Sequence, residues 1–145
     1  MGSRIPRLLL ATAAAILAFG GVMHAAAYTA KALPSINGSN LAAFLGAEFK
    51  VLWLADSTTL VALALVIGFI AAKPASVAKA VIMLLAAIPG ATAVLLYFFL
   101  GAFYAGHLLL AASVMVFVAG LVMPALDCGN ESVGVARNQA ERALR

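Results

Sequence analysis

Hydrophobic and polar positions divide the chain into four long apolar stretches separated by short polar ones. A helix needs roughly 20 apolar residues to cross about 30 Å of hydrocarbon. Four segments reach that length: residues 8–27, between Arg7 and Lys31; 51–72, between Lys50 and the Lys73-Pro74 pair; 80–100; and 103–126. No strand-like alternation competes with them, and a spanning barrel needs at least eight strands. Lipid offers backbone amides no partner outside their own segment, so each stretch is predicted to be a helix. The expected fold is an all-α membrane protein with four transmembrane helices in an up-down-up-down bundle. The transmembrane domain is expected over residues 1–126, with a polar cytoplasmic tail over residues 127–145.

Local signals set the expected boundaries. Pro74 lacks an N–H and should end the second span, and Ser76 is placed to cap the third. Residues 34–40, which hold Pro34, Ser35, Asn37, Gly38, Ser39 and Asn40, read as a polar loop. The partly apolar run 41–49 reads as an interfacial helix or as an extension of the second span. Residues 98–104 leave room only for a tight hairpin between spans three and four. Pro89, with Gly90 behind it, falls inside span three, frees the Leu85 carbonyl and should kink that helix. Arg4 and Arg7 before an apolar run, with Ala25 to Ala27 after it, also resemble a secretory signal. The run 8–23 exceeds the usual signal core, so the first span is expected to be retained.

Composition supports this reading. The chain is 66% hydrophobic and 10% charged, against about 45–50% and about 25% in soluble domains. Fourteen charged residues could not cover a water-soluble globule of 145 residues, so the excess apolar surface must face a lipid bilayer. An ordinary soluble enzyme, a nucleic-acid module and a disordered tail are excluded on that ground. The net charge of +4 comes from basic residues scattered singly, which is not the pattern that tracks phosphates; no nucleic-acid partner is expected. One cysteine, Cys128, leaves no intramolecular disulfide and no cysteine-based zinc site within the chain.

The charges also orient the spans. Arg4, Arg7, Lys73, Lys79, Arg137, Arg142 and Arg145 fall on the side of the termini, and only Lys31 and Lys50 fall opposite. The positive-inside bias then predicts an inner (plasma) membrane protein with both termini in the cytoplasm. Tyr28, Trp53, Tyr97 and Tyr104 all fall near the outer interface, where amphipathic rings anchor.

Candidate chemistry is confined to that outer layer. At about 1.5 Å per residue, Asp56 lies roughly 9 Å below Lys50, His24 about 10 Å below Lys31, and His107 about 6 Å below Phe103. Gly20 and Gly21, one turn before His24, would let a neighbouring helix approach. Trp53, Asp56, Ser57 and Leu60 share a face of the second span. Tyr28 and Tyr104 lie one turn from His24 and His107. The expected site is therefore a polar cluster of His24, Asp56 and His107, with Ser57, Trp53, Tyr28 and Tyr104 around it.

Three functions follow as expectations. The first is a non-catalytic membrane subunit or scaffold, since the chain has no Gly-rich phosphate loop, GxSxG or HExxH. It would work as a homo-oligomer or within a larger membrane complex. The second is a proton- or cation-coupled small-molecule transporter that uses Asp56. The third is a redox role, with His24 and His107 as axial ligands of a haem, or with His24, His107 and Asp56 binding a metal ion. A minor remainder is a lipid-modifying enzyme using Asp56 and a histidine as acid and base.

Overall fold

A computed structural model describes residues 4–123; the tail expected over residues 127–145, with Cys128, lies outside the described residues. The described chain is helical apart from short connections, and no strand occurs among these residues. The helices are α1 (Arg4–Ala27), α2 (Leu33–Asn37), α3 (Ala43–Ala72), α4 (Lys79–Leu100) and α5 (Tyr104–Val122). Four helical segments are long and apolar enough to cross a membrane, so this is a multi-pass membrane protein. At most 33% of the apolar window of any span is buried within the chain, which leaves most of each helix for lipid or for another chain.

Three of the spans, α1, α4 and α5, bury a narrow stripe at steps of three and four residues, the spacing of one helix face. On α1 it is Pro6, Leu10, Ala13, Leu17 and Gly21. On α4 it is Ile82, Ala86, Pro89 and Ala93, and on α5 Gly106, Leu109, Ala112, Val116 and Ala119. Small residues are frequent in these stripes because helices in lipid gain stability from close backbone approach rather than from burying oily surface. The stripes pack α3 on α1, α1 on α5 and α5 on α4. Consecutive spans run up and down as expected, but α3 and α4 share no packed interface. The four spans therefore form a bundle with one open seam.

The first hairpin is longer than the hydrophobic pattern suggests. Helix continues from Arg4 to Asn37 over 34 residues, and α3 has 30, or about 51 and 45 Å at 1.5 Å per residue. The 22 residues of α4 and 19 of α5 give about 33 and 28 Å. Most of the polar loop expected at 34–40 is thus helical, and the run 41–49 extends the second span rather than lying on the surface. A π-helical turn at Tyr28–Ala32 joins α1 to α2. Its position follows from Pro34, whose ring would press on the Ala30 carbonyl in a straight α-helix. Widening the preceding turn lets the helix carry on past the proline.

Two further boundaries differ from expectation or refine it. Ser76 does not cap α4: its hydroxyl donates to the Lys73 carbonyl at 2.6 Å within the short 3₁₀ turn Pro74–Ser76, and α4 starts after Ala78 without a side-chain cap. The second hairpin closes through Gly101, at φ +70° and ψ −151°, a backbone region essentially reserved for glycine.

α4 stays helical through Pro89. Beside the proline, Ser113 of α5 donates to the Ala86 carbonyl at 2.8 Å. This bond ties the two helices together at the level where the α4 ladder lacks a donor. Ser113→Ala should lower stability by about 0.6–1.7 kcal/mol, the range for interhelical bonds in lipid. Thermal unfolding in nanodiscs checks this, and an unchanged midpoint would remove Ser113 from the packing account.

Candidate functional site

His24 sits on the last turn of α1, just before the π turn, and faces α3. Gly21, one turn earlier, sets how near α3 comes. A Cβ built there would lie 2.8 Å from Val61 Cγ2 and 3.1 Å from the Ser57 carbonyl oxygen. Gly20 has nothing within 4 Å at the same position. Of the two glycines flagged by sequence, only Gly21 makes the close approach.

At that contact four polar groups close on one another. Ser57, only 3% exposed, donates its hydroxyl proton to the Trp53 carbonyl at 3.0 Å. It also lies 2.9 Å from His24 Nδ1. A hydroxyl has one hydrogen, so the arrangement with that hydrogen on the carbonyl is the one in which His24 carries a proton on Nδ1 and donates it to Ser57. The Trp53 indole N–H donates to the His24 carbonyl at 2.9 Å. The indole also stacks on the imidazole, with centroids 4.3 Å apart and planes 10° from parallel. His24 Nε2 is left facing Asp56 Oδ2 at 3.8 Å, with the side chains 30% and 47% exposed.

Ser57, His24 and Asp56 superficially resemble the three groups of a hydrolytic triad. The chemistry does not follow from the geometry, because the serine proton is committed to a carbonyl and the hydroxyl is buried. An activated nucleophile needs an accessible oxygen whose proton the base can take.

His107 belongs to a different contact. Its Nδ1 is hydrogen-bonded to the Tyr97 hydroxyl at 2.6 Å, across the α4–α5 hairpin. Gly106 gives the tyrosine room, since a Cβ there would meet the Tyr97 ring at 3.3 Å. Tyr104 is exposed and packs on Phe103 with centroids 4.7 Å apart. Tyr28 is half-buried at the start of the π turn and takes no part in the hydrogen bonds around His24.

The structure thus brings together His24, Trp53, Asp56 and Ser57, and separately His107 with Tyr97. The expected set of His24, His107 and Asp56 does not assemble as a metal centre: no group of three His, Cys, Asp or Glu side chains able to hold a metal occurs among the described residues. For the haem arrangement, each histidine has its Nδ1 engaged by its own hairpin, His24 by Ser57 and His107 by Tyr97. Tyr97 is the residue that sequence reading missed, having been taken only as an interfacial ring.

Three span threonines bond back within their own helices. Thr58 and Thr59 both donate back to the Ala55 carbonyl, at 2.9 and 2.8 Å, and Thr92 to that of Ile88 at 3.0 Å. No buried side-chain nitrogen or oxygen among the described residues lacks a partner. A cavity of about 390 Å³ lies between α4 and α5 at Gly90 and Ser113, and no ionisable side chain lines it. In comparisons with known proteins, the chain matches no family model, no curated protein and no solved structure.

Proposed function

We propose that this protein is a non-catalytic subunit or small scaffold of the inner (plasma) membrane, with both termini in the cytoplasm. One observation carries the reading: four side-chain hydrogen bonds within the spans hold one helix to its neighbour. His24 to Ser57, Trp53 to His24, Tyr97 to His107 and Ser113 to Ala86 are all interhelical bonds. Such bonds fix two rigid hairpins without leaving a buried polar group free for chemistry. The bundle meanwhile leaves surfaces unfilled. The seam between α3 and α4 is open, and the extended first hairpin carries an exposed Phe44 and Phe49 beyond the span. A second copy or a larger membrane complex would sit on these surfaces.

The test is the size of the protein in its own membrane. Solubilised gently and run under native conditions, it should migrate well above a monomer. It should also leave an imposed proton gradient across proteoliposomes no leakier than in empty vesicles. A monomer in native membranes, or a flux abolished by Asp56→Asn, would overturn the scaffold reading. The latter would favour proton- or cation-coupled transport, the second reading, which rests on the half-exposed Asp56 carboxylate beside His24.

Orientation has its own check. In a Cys128→Ser background, Glu48→Cys lies on the extended hairpin and should react with a membrane-impermeant maleimide from outside. Lys73→Cys, between α3 and α4, should react only after permeabilisation. Reversed labelling would invert the proposed topology.

A further inference from the structure

The gap between His24 and Asp56 is chemically unfinished. The Ser57 contacts of His24 fit an imidazole protonated on Nδ1 alone, the tautomer in which Nε2 presents a lone pair. That lone pair faces the Asp56 carboxylate across 3.8 Å, too far for a direct hydrogen bond. Two acceptors pointed at one space repel each other unless a donor stands between them. The space is reached from outside the protein, since both side chains are substantially exposed. It also lies about two turns along the helices from Lys31 and Lys50.

We propose that this gap binds a primary ammonium group, shared between His24 Nε2 and Asp56 Oδ2. An ammonium has several N–H donors and can give one to the imidazole and one to the carboxylate, at roughly 2.8–3.0 Å each. Its positive charge also offsets the carboxylate, which is costly to keep ionised near hydrocarbon. A quaternary ammonium has the charge but no N–H, and leaves the imidazole lone pair unsatisfied. The site therefore distinguishes the two commonest amine headgroups by hydrogen-bond donors rather than by charge. Two sources carry the same chemistry, a phosphatidylethanolamine headgroup or a free primary amine. The inference is independent of the scaffold reading, because it concerns what a partly exposed acceptor pair takes up, whatever the bundle does.

The experiment uses the full chain in nanodiscs of phosphatidylglycerol mixed equally with phosphatidylethanolamine and phosphatidylcholine. Native mass spectrometry reads which lipid stays bound. Phosphatidylethanolamine should be retained over phosphatidylcholine by about fivefold, and the ratio should fall to about one in Asp56→Asn and in His24→Phe. Thr58→Val, an exposed neighbour outside the pair, should keep the wild-type ratio, and unchanged helicity in each variant shows that the fold survives. Free ethanolamine added to phosphatidylcholine discs separates the sources. A gain in thermal stability lost in Asp56→Asn assigns the site to free amines as well, whereas no gain with phosphatidylethanolamine still retained assigns it to the lipid. Equal retention of both lipids by the wild type, or a preference that survives Asp56→Asn, overturns the proposal.

Discussion

Gly21→Leu should pull α1 and α3 apart and cost the protein about 2–4 kcal/mol. Overpacking a tight contact costs about 1–3 kcal/mol, and this contact has no slack. A Cβ at position 21 meets Val61 Cγ2 at 2.8 Å, the Ser57 carbonyl oxygen at 3.1 Å and Leu60 Cβ at 3.2 Å. The last two are backbone or the root of a side chain and cannot swing aside. Separation at this level also breaks the bond from His24 to Ser57, adding about 1 kcal/mol. Gly21→Ala should show the same effect in smaller measure, although alanine is the better helix former by about 1 kcal/mol. Gly20→Ala provides the contrast: with nothing within 4 Å it should be neutral or mildly stabilising. Thermal or denaturant unfolding in nanodiscs reads all three. Similar behaviour at positions 20 and 21 would show that α3 is not held where the structure places it.

How much of this was legible in sequence depends on one loop. Four spans and their alternation followed from apolar run length, because lipid leaves the backbone so few options. The pairing of residues across a hairpin follows from where its turn is centred, and there the two hairpins differ. The second turn was placed correctly; Tyr97 and His107 stand equally far from Ala102, so their meeting was within reach of the sequence had that symmetry been applied. The first turn was placed at the polar residues 34–40. That centring sets His24 opposite Lys50 rather than Ser57. The structure moves the turn to residues 38–42 by carrying helix past Pro34 through a π turn, and His24 and Ser57 then lie equally far from the Asn40–Leu41 step. Composition pointed to a loop because Pro, Ser and Asn are poor helix formers. Packing of the extension against the start of α3 outweighed that preference.

The same geometry explains why three residues at one depth did not make one site. Depth is set by distance along each helix, whereas meeting requires that each side chain also turn toward the others. His24 lies on the flank of α1 that faces α3, and His107 on the flank of α5 that faces α4. Each hairpin therefore satisfies its own histidine locally, His24 with Trp53 and Ser57 and His107 with Tyr97. A polar group in a span takes the nearest partner because the cost of leaving it unpaired is immediate. In an antiparallel helical hairpin the nearest partner is usually on the other helix of that hairpin, not across the bundle.

Trp53→Ala should be the second strongly destabilising change, by about 2–4 kcal/mol. It removes the indole N–H bond to the His24 carbonyl at 2.9 Å, worth about 0.6–1.7 kcal/mol in lipid. It also removes a ring stacked on His24 at 4.3 Å; such pairs contribute about 0.5–1.5 kcal/mol beyond the area they cover. A cavity at a half-buried site adds the remainder. Trp53→Phe should fall between the two, keeping much of the ring contact and losing the donor. The chain contains one tryptophan, so its emission reports on this contact alone. His24→Phe should change Trp53 emission in the folded protein. Wild-type unfolding followed by fluorescence should begin no later than loss of helix by circular dichroism, because the indole contact is lost as soon as α3 and α1 separate at His24. Emission indifferent to His24, together with a Trp53→Ala midpoint within about 0.5 kcal/mol of wild type, the range of ordinary surface substitutions, would mean that the indole anchors only to the membrane interface and that the first hairpin is held by its apolar stripe.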